Sequence, residues 1–444
     1  MTDLLHHVRT WIRLPSRRHM TVFFSLGAAG QVEAGLAVLT TIALVRMVGA
    51  EEAGEVFFAQ SLGNLWFLLW DPRLGDTAQR FVPLQSRTEG GPGSWLFFWL
   101  LRLDAGIGIT TAVTGTGLVL LAHHVDWVDD KKALLLVLVL MGCGVTVSRG
   151  TAVAGFALSE RLRLLGAVRM VAAGLSFVAT MTALFMGGLI AYLVVAAVAG
   201  LATTIMLVAM AARSIVLAFG RPSTECSRPP QGLIRFACTT SAATSVALAS
   251  DSGVLALAGL LGAPTLVTFL KIAGTPARMV RSCFSTVAAQ LYPRLANAVV
   301  SNDSAGAQRD LLRATALLSV IGLGMVAMVL PVADVLLTLV YGPAYVTLAP
   351  TLVILLAAAC VRETVVWSKV FPLAVGVPGV RFAVVVAEGI LIAAMLVVAT
   401  RLGAHAEECA LIFAWGSLAV AIAYGTTWLS LMRPLFQRFA STAA

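Results

Sequence analysis

Residues 219–232 read FGRPSTECSRPPQG, and this short polar stretch decides the fold. Its three prolines exclude a helix interior, so it reads as a linker. Six apolar stretches precede it and six follow, each close to or above the 20 or so residues that cross a bilayer as a helix. The predicted spans are 21–47, 53–71, 95–121, 133–157, 164–186, 188–212, 234–261, 264–291, 312–339, 346–371, 379–400 and 409–431. The expectation is an all-α polytopic membrane protein of about twelve transmembrane helices, in two six-helix lobes around a central cavity.

Charge fixes the orientation. Basic residues collect in every second gap: Arg9, Arg13, Arg17 and Arg18, then Arg73, Arg80 and Arg87, then Arg149, Arg161 and Arg163, then Arg213, Arg221 and Arg228. The alternate gaps are acidic, with Glu51, Glu52, Glu55, Asp126, Asp129, Asp130, Glu407 and Glu408. By the positive-inside rule both termini are cytoplasmic, and the protein sits in the cytoplasmic membrane. Residues 1–20 form a basic amphipathic segment on the inner face. Residues 21–218 form an N-lobe with helices 1–6, 219–232 a cytoplasmic linker, 233–432 a C-lobe with helices 7–12, and 433–444 a cytoplasmic tail.

Composition narrows the function. Apolar residues make up 59% of the chain and charged residues 12%, with a net charge of +9. Those cations flank spans, so membrane topology accounts for them and no nucleic-acid partner is expected. Six scattered cysteines lack metal or redox spacing. No phosphate-loop motif is present, and Thr114-Gly115-Thr116-Gly117 lies inside a span as a packing feature. His123, His124 and Asp126 read as a solvated loop cluster, so neither metal nor cofactor is expected. No outer segment is large enough for a catalytic domain, so the chain reads as a transporter and not an enzyme.

Charges inside spans are costly and call for a reason. Span 8, APTLVTFLKIAGTPARMVRSCFSTVAAQLYP, carries Lys271, Arg278 and Arg281 on one stripe. Lys271 lies about 10 Å and Arg278 about 21 Å from the outer end at 1.5 Å per residue. Gly274 and Pro276 between them loosen or kink the helix. With Arg362 on span 10, these residues form a candidate cationic cavity that binds an anionic group such as a diphosphate. Glu33, Asp251 and Glu388 are the candidates for ion coupling or for pairing with those cations. Arg102 and Asp104, near an inner end, are expected to snorkel.

Three further segments carry a family resemblance. Val45-Arg46-Met47-Val48-Gly49-Ala50-Glu51-Glu52-Ala53-Gly54, with Asp71-Pro72-Arg73-Leu74-Gly75-Asp76 and Arg80-Phe81-Val82, resembles the opening of polysaccharide flippases of the Wzx type. Asp251 through Gly262, with Leu291-Tyr292-Pro293-Arg294-Leu295, resembles their seventh and eighth helices. Asp334 through Tyr345, with Ala349 and Leu352, resembles their turn between helices nine and ten. Asp71-Pro72-Arg73-Leu74-Gly75 departs from the usual D-x-G-L form. The resemblance implies the multidrug/oligosaccharidyl-lipid/polysaccharide exporter superfamily. It implies that a polyprenyl-diphosphate-linked oligosaccharide is flipped by alternating access, for O-antigen lipopolysaccharide or exopolysaccharide biosynthesis. Membrane lipids, a polysaccharide polymerase and glycosyltransferases would be its partners. The alternative is a cation-coupled multidrug exporter of the same superfamily.

Overall fold

The computed structural model describes residues 17–88, 94–221, 229–261, 263–300, 303–375 and 377–442. The interfacial segment expected at residues 4–15 and the centre of the linker, 222–228, lie outside the described residues. The described chain is helical almost throughout: α1 (Arg17–Trp70), α2 (Leu74–Thr88), α3 (Ser94–His124), α4 (Asp130–Gly144), α5 (Arg149–Leu158), α6 (Leu162–Phe219), α7 (Leu233–Leu260), α8 (Pro264–Ala273), α9 (Thr275–Val300), α10 (Ser304–Val329), α11 (Ala333–Val340), α12 (Ala349–Thr364), α13 (Phe371–Ala374), α14 (Pro378–Leu402) and α15 (Ala406–Thr442).

Two helices are too long to cross once. At 54 and 58 residues, α1 and α6 would each span more than about 80 Å at 1.5 Å per residue, against a hydrocarbon core of about 30 Å. Each is broken at a glycine: Gly49 (φ 85°, ψ 175°) in α1 and Gly188 (φ 68°, ψ −159°) in α6. Only glycine enters this region freely, so the glycine sets where the chain turns back. With those breaks, and with α4–α5, α8–α9 and α10–α11 each taken as one interrupted crossing, the described residues supply the twelve expected spans. The chain is a multi-pass membrane protein.

Internal packing divides the chain into two units. The first comprises the residues up to Thr40 together with Trp70–Ser241, and the second Thr41–Leu69 together with the residues from Ala242 onward. In the first unit, α2 corrects the expectation of an inner loop after span 2. Leu74, Ala78, Phe81 and Val82 follow helical spacing, and all are buried among Leu96, Phe97, Leu100, Ala152 and Phe156. The backbones also approach closely, since a Cβ on Gly75 would meet the Gly150 carbonyl at 2.6 Å. Arg149, read above as a loop residue, instead starts α5. Its guanidinium donates to the Gly200 carbonyl (2.8 Å) and the Thr204 hydroxyl (2.9 Å) of α6.

In the second unit, residues 50–69 of α1 are joined to α7 and α8 by side-chain hydrogen bonds. The Thr268 hydroxyl donates to the Ala50 carbonyl (2.6 Å), and the Ser245 hydroxyl to the Leu68 carbonyl (2.8 Å). Between them, Gly54 faces the Pro264 carbonyl and Gly259 faces the Phe58 ring, each with no room for a Cβ. Small residues allow such backbone approach where lipid offers no hydrophobic drive between helices. Further along, Trp367, Phe371, Tyr424 and Trp428 build an aromatic core with edge-on contacts of 6.2 Å. The Trp367 indole donates to the Thr315 hydroxyl (2.9 Å).

The seam at Gly54 has a measurable consequence. Gly54→Val overpacks it, at a cost of roughly 1–3 kcal/mol. The thermal midpoint of the detergent-purified protein is expected to fall by several degrees. Gly106→Ala, with nothing within 4 Å of its Cβ position, serves as the control and should hold the midpoint or raise it. Equal midpoints for Gly54→Val and wild type would refute the seam.

Candidate functional site

Span 8 does not run as one straight helix. α8 ends at Ala273, Gly274 makes a turn, and α9 begins at Thr275. This fits the expected loosening at Gly274 and Pro276. The turn interrupts the backbone ladder around the Lys271 carbonyl, which accepts from the Thr275 hydroxyl (2.7 Å) and the Arg278 guanidinium (2.7 Å). Arg278 also donates to the Thr275 hydroxyl (2.8 Å). A cation at the C-terminal end of α8 complements the helix dipole as well. Arg278 therefore has a structural task in addition to any it performs on cargo.

The break also separates the stripe. Arg278 and Arg281 of α9 line a cavity of about 150 Å³ in the second unit, together with Arg362 of α12, Glu388 of α14, and Phe413 and Ser417 of α15. Lys271 is absent from that lining, and its ammonium instead sits 5.3 Å from the centre of the Phe57 ring. Three of the four predicted cavity cations are thus brought together, along with one of the three predicted carboxylates. Asp251 lies on α7, and its side chain is outside the described part of the structure. Glu33 belongs to the first unit.

Two carboxylates proposed for coupling or pairing are seen paired. Glu388 takes both arms of the Arg362 fork, one through Nε and Oε1 and the other at 3.0 Å through Nη2 and Oε2. Glu33 is held in the same way by Arg169 of α6, through Nε at 2.8 Å and through Nη2. Arg169 was missed in the sequence, although an arginine inside span 5 was a visible signal.

A second pair adjoins the first. Glu363 is fully buried, with Lys369 Nζ at 2.6 Å and 2.9 Å from its two oxygens and Arg362 Nη1 at 3.4 Å. Lys369 sits in the 3₁₀ turn Val366–Lys369, just after the C-terminal end of α12. Sequence reasoning overlooked this lysine inside span 10. The Arg362 guanidinium also lies 5.4 Å from the Tyr424 ring, and the Tyr424 hydroxyl is 3.0 Å from the Ser368 hydroxyl. The result is a buried polar network whose charges are matched pair by pair, as a membrane interior requires.

Asp104 corrects a further expectation. It is buried, not snorkelling, and accepts from the Thr151 hydroxyl at 2.6 Å. Arg102 is exposed, as expected for a snorkelling side chain. Among the described residues no group of three or more His, Cys, Asp or Glu side chains could hold a metal ion.

This geometry defines a helical membrane protein with a largely apolar cavity in one unit, into whose lining three arginines and one glutamate are set. No family model matches the sequence, and no curated protein matches it. Solved structures do. An inward-facing multidrug resistance MATE family transporter of the MOP superfamily aligns over 93% of this chain and 96% of its own, with TM-score 0.71 and 14% identity. A mutant of the MATE transporter VcmN from Vibrio cholerae aligns over 95% and 98%, with TM-score 0.62 and 12% identity. The eukaryotic MATE transporter AtDTX14 aligns over 96% and 100%, with TM-score 0.57 and 12% identity. The chain therefore has the fold of MATE transporters of the MOP superfamily.

The Arg362–Glu388 pair is testable. With side chains 22% and 7% exposed, removing one partner strands the other, at a cost of about 3–5 kcal/mol. Glu388→Leu alone should unfold at clearly lower temperature, and Arg362→Met combined with Glu388→Leu should recover most of the loss. Additive losses in the double variant would show that the two do not act as a pair.

Proposed function

We propose that this chain is a membrane exporter working by alternating access, and that its cargo carries an anionic group. The observation that carries the second clause is the convergence of Arg278, Arg281 and Arg362 on one membrane-embedded cavity in the second unit. Guanidinium groups match phosphate oxygens through forked, charge-assisted hydrogen bonds. They offset the loss of hydration that an anion suffers on leaving water. Glu388 fixes the plane of Arg362 and lowers the net charge of the cavity lining. No bond is made or broken, so the work is binding and release on alternate sides.

Two cargo readings rest on different observations. The MATE transporters that share this fold favour a multidrug exporter, and on those comparisons it is the better supported of the two. The arginine lining favours a polyprenyl-diphosphate-linked oligosaccharide. That cargo would be flipped across the cytoplasmic membrane, with both protein termini cytoplasmic and with a polysaccharide polymerase and glycosyltransferases as partners. A site for organic cations would be expected to present carboxylates and aromatic faces. Among the described lining residues the cavity offers one carboxylate and one phenylalanine.

Proteoliposomes separate the two. A fluorescent polyprenyl-diphosphate oligosaccharide and a cationic dye are offered to wild type and to Arg281→Ala. The expected result is movement of the diphosphate lipid, slowed at least roughly tenfold in Arg281→Ala by loss of a charged hydrogen-bond donor. Movement of the dye alone would overturn the anionic cargo and leave the multidrug exporter. Movement of neither would overturn the transporter reading.

A further inference from the structure

Lys271 is the predicted cavity cation that the cavity leaves out. Its ammonium sits 5.3 Å from the centre of the Phe57 ring. Among the described residues no carboxylate and no hydrogen-bond acceptor reaches it, Glu52 and Glu55 of α1 included. Other in-span cations are held. Glu33 grips Arg169, Glu388 grips Arg362, Glu363 grips Lys369, and Arg149 bonds the Gly200 carbonyl and the Thr204 hydroxyl. An aromatic face stabilises a cation by roughly 0.5–2 kcal/mol, which replaces only part of the hydration an ammonium loses in a membrane. The elements packed against α8 add nothing attractive. α9 brings Arg278, whose charge repels the ammonium. α12 brings Arg362 and Glu363, both engaged in the pairs above, and α15 carries no charged residue between Glu408 and Arg433. The tyrosine hydroxyl of Tyr341 is bonded to Thr275, and the Tyr345 ring packs on Phe269 at 6.2 Å.

The type of residue matters as much as its isolation. Of the 31 lysines and arginines in the chain only four are lysines, namely Lys131, Lys132, Lys271 and Lys369. Lys131 and Lys132 open α4 in the acidic outer turn, and Lys369 is clamped by both oxygens of Glu363. An arginine stays charged at any pH a cell meets, whereas a lysine can give up its proton and remain as a neutral amine. In-span positions of fixed charge are filled by Arg149, Arg169, Arg278, Arg281 and Arg362. Position 271 holds a cation that can be discharged and that no anion among the described residues holds in its charged form.

We propose that Lys271 is a proton-exchange site, through which this exporter couples cargo movement to protons. The ammonium passes one proton to water that reaches its half-buried side chain and leaves a neutral amine over Phe57; uptake reverses the step, and no other bond changes. Discharge also removes the repulsion between Lys271 and Arg278. Arg278 bonds the Lys271 carbonyl at the α8–α9 break and lines the cavity, so the proton acts on a residue that the cavity shares. The carboxylates Glu33 and Glu388, candidates for this task in the sequence, are committed to arginines instead. The coupling clause rests on the exporter reading; the exchange site itself does not.

Two measurements keep those clauses apart. The first is competitive labelling of the full chain in neutral detergent with trace acetic anhydride at pH 7.5 and pH 10, read lysine by lysine by mass spectrometry. An exposed lysine loses roughly two hundredfold in rate between the two, because its ammonium form takes over. The pH 7.5 to pH 10 rate ratio at Lys271 is divided by that of Lys131 and Lys132, which cancels access and reagent loss. A quotient of at least about ten is expected, and a quotient of one or less overturns the proposal. The second uses proteoliposomes and whichever probe wild type moves, the fluorescent diphosphate lipid or the cationic dye. A pH gradient should accelerate wild type several-fold over its own gradient-free rate. Lys271→Arg, which keeps the charge but cannot discharge it, should show a ratio near one. Equal stimulation in the two proteins overturns the coupling. If wild type moves neither probe, the coupling falls with the exporter reading, and the labelling quotient alone decides the proton site.

Discussion

A charge cannot be left facing hydrocarbon, and this structure is arranged around that constraint. Among the described residues, several in-span charges each meet a partner, a ring or a cavity. Glu33 meets Arg169, Glu388 meets Arg362, Glu363 meets Lys369, and Asp104 meets the Thr151 hydroxyl. Lys271 rests on the Phe57 ring. Arg278 closes the broken end of α8 and also reaches the cavity. The pairs do more than neutralise one another. Two of them tie together separate helices, α1 to α6 and α12 to α14, and so fix where polar groups lie within each unit.

Backbone breaks are the second organising element. Gly49 reverses the chain beside the acidic gap at Glu51 and Glu52, Gly188 does so within apolar sequence, and Gly274 opens span 8 at mid-depth. At Gly274 the break has a chemical consequence, because the freed Lys271 carbonyl draws the Arg278 side chain toward it. Without the break, Lys271 and Arg278 would share one stripe. With it, only Arg278 and Arg281 line the cavity. The break at Gly274 and Pro276 thus leaves three cations of one span in two places.

Much of the fold was legible in the sequence because it depends on local pattern. Span length and apolarity gave the helix count, whereas the reversals at Gly49 and Gly188 emerged only from the backbone angles. α2 was also legible, since Leu74, Ala78, Phe81 and Val82 follow a helical spacing, but its basic residues led to a loop reading. The site was only half legible. Arg278, Arg281, Arg362 and Glu388 were singled out because charge inside an apolar run is conspicuous. Their partners were not, since pairings such as Arg169 with Glu33 join positions 136 residues apart. Nor was the isolation of Lys271 legible, since only the packed structure shows which side chains surround it.

The central claim is that an aqueous, cationic cavity lies within the second unit. Chemical labelling tests it most directly. In a cysteine-free background, Ala421→Cys on the cavity wall is treated with an anionic and a cationic methanethiosulfonate. The ratio of the two rates at residue 421 is divided by the ratio for a small uncharged thiol free in the same buffer, and residue 127, 83% exposed in the turn after α3, serves as Trp127→Cys only to show that both reagents are active. A wet cavity lined by arginines predicts a normalised ratio several-fold in favour of the anionic reagent. A ratio favouring the cationic reagent, or no modification at residue 421 by either, would contradict the account.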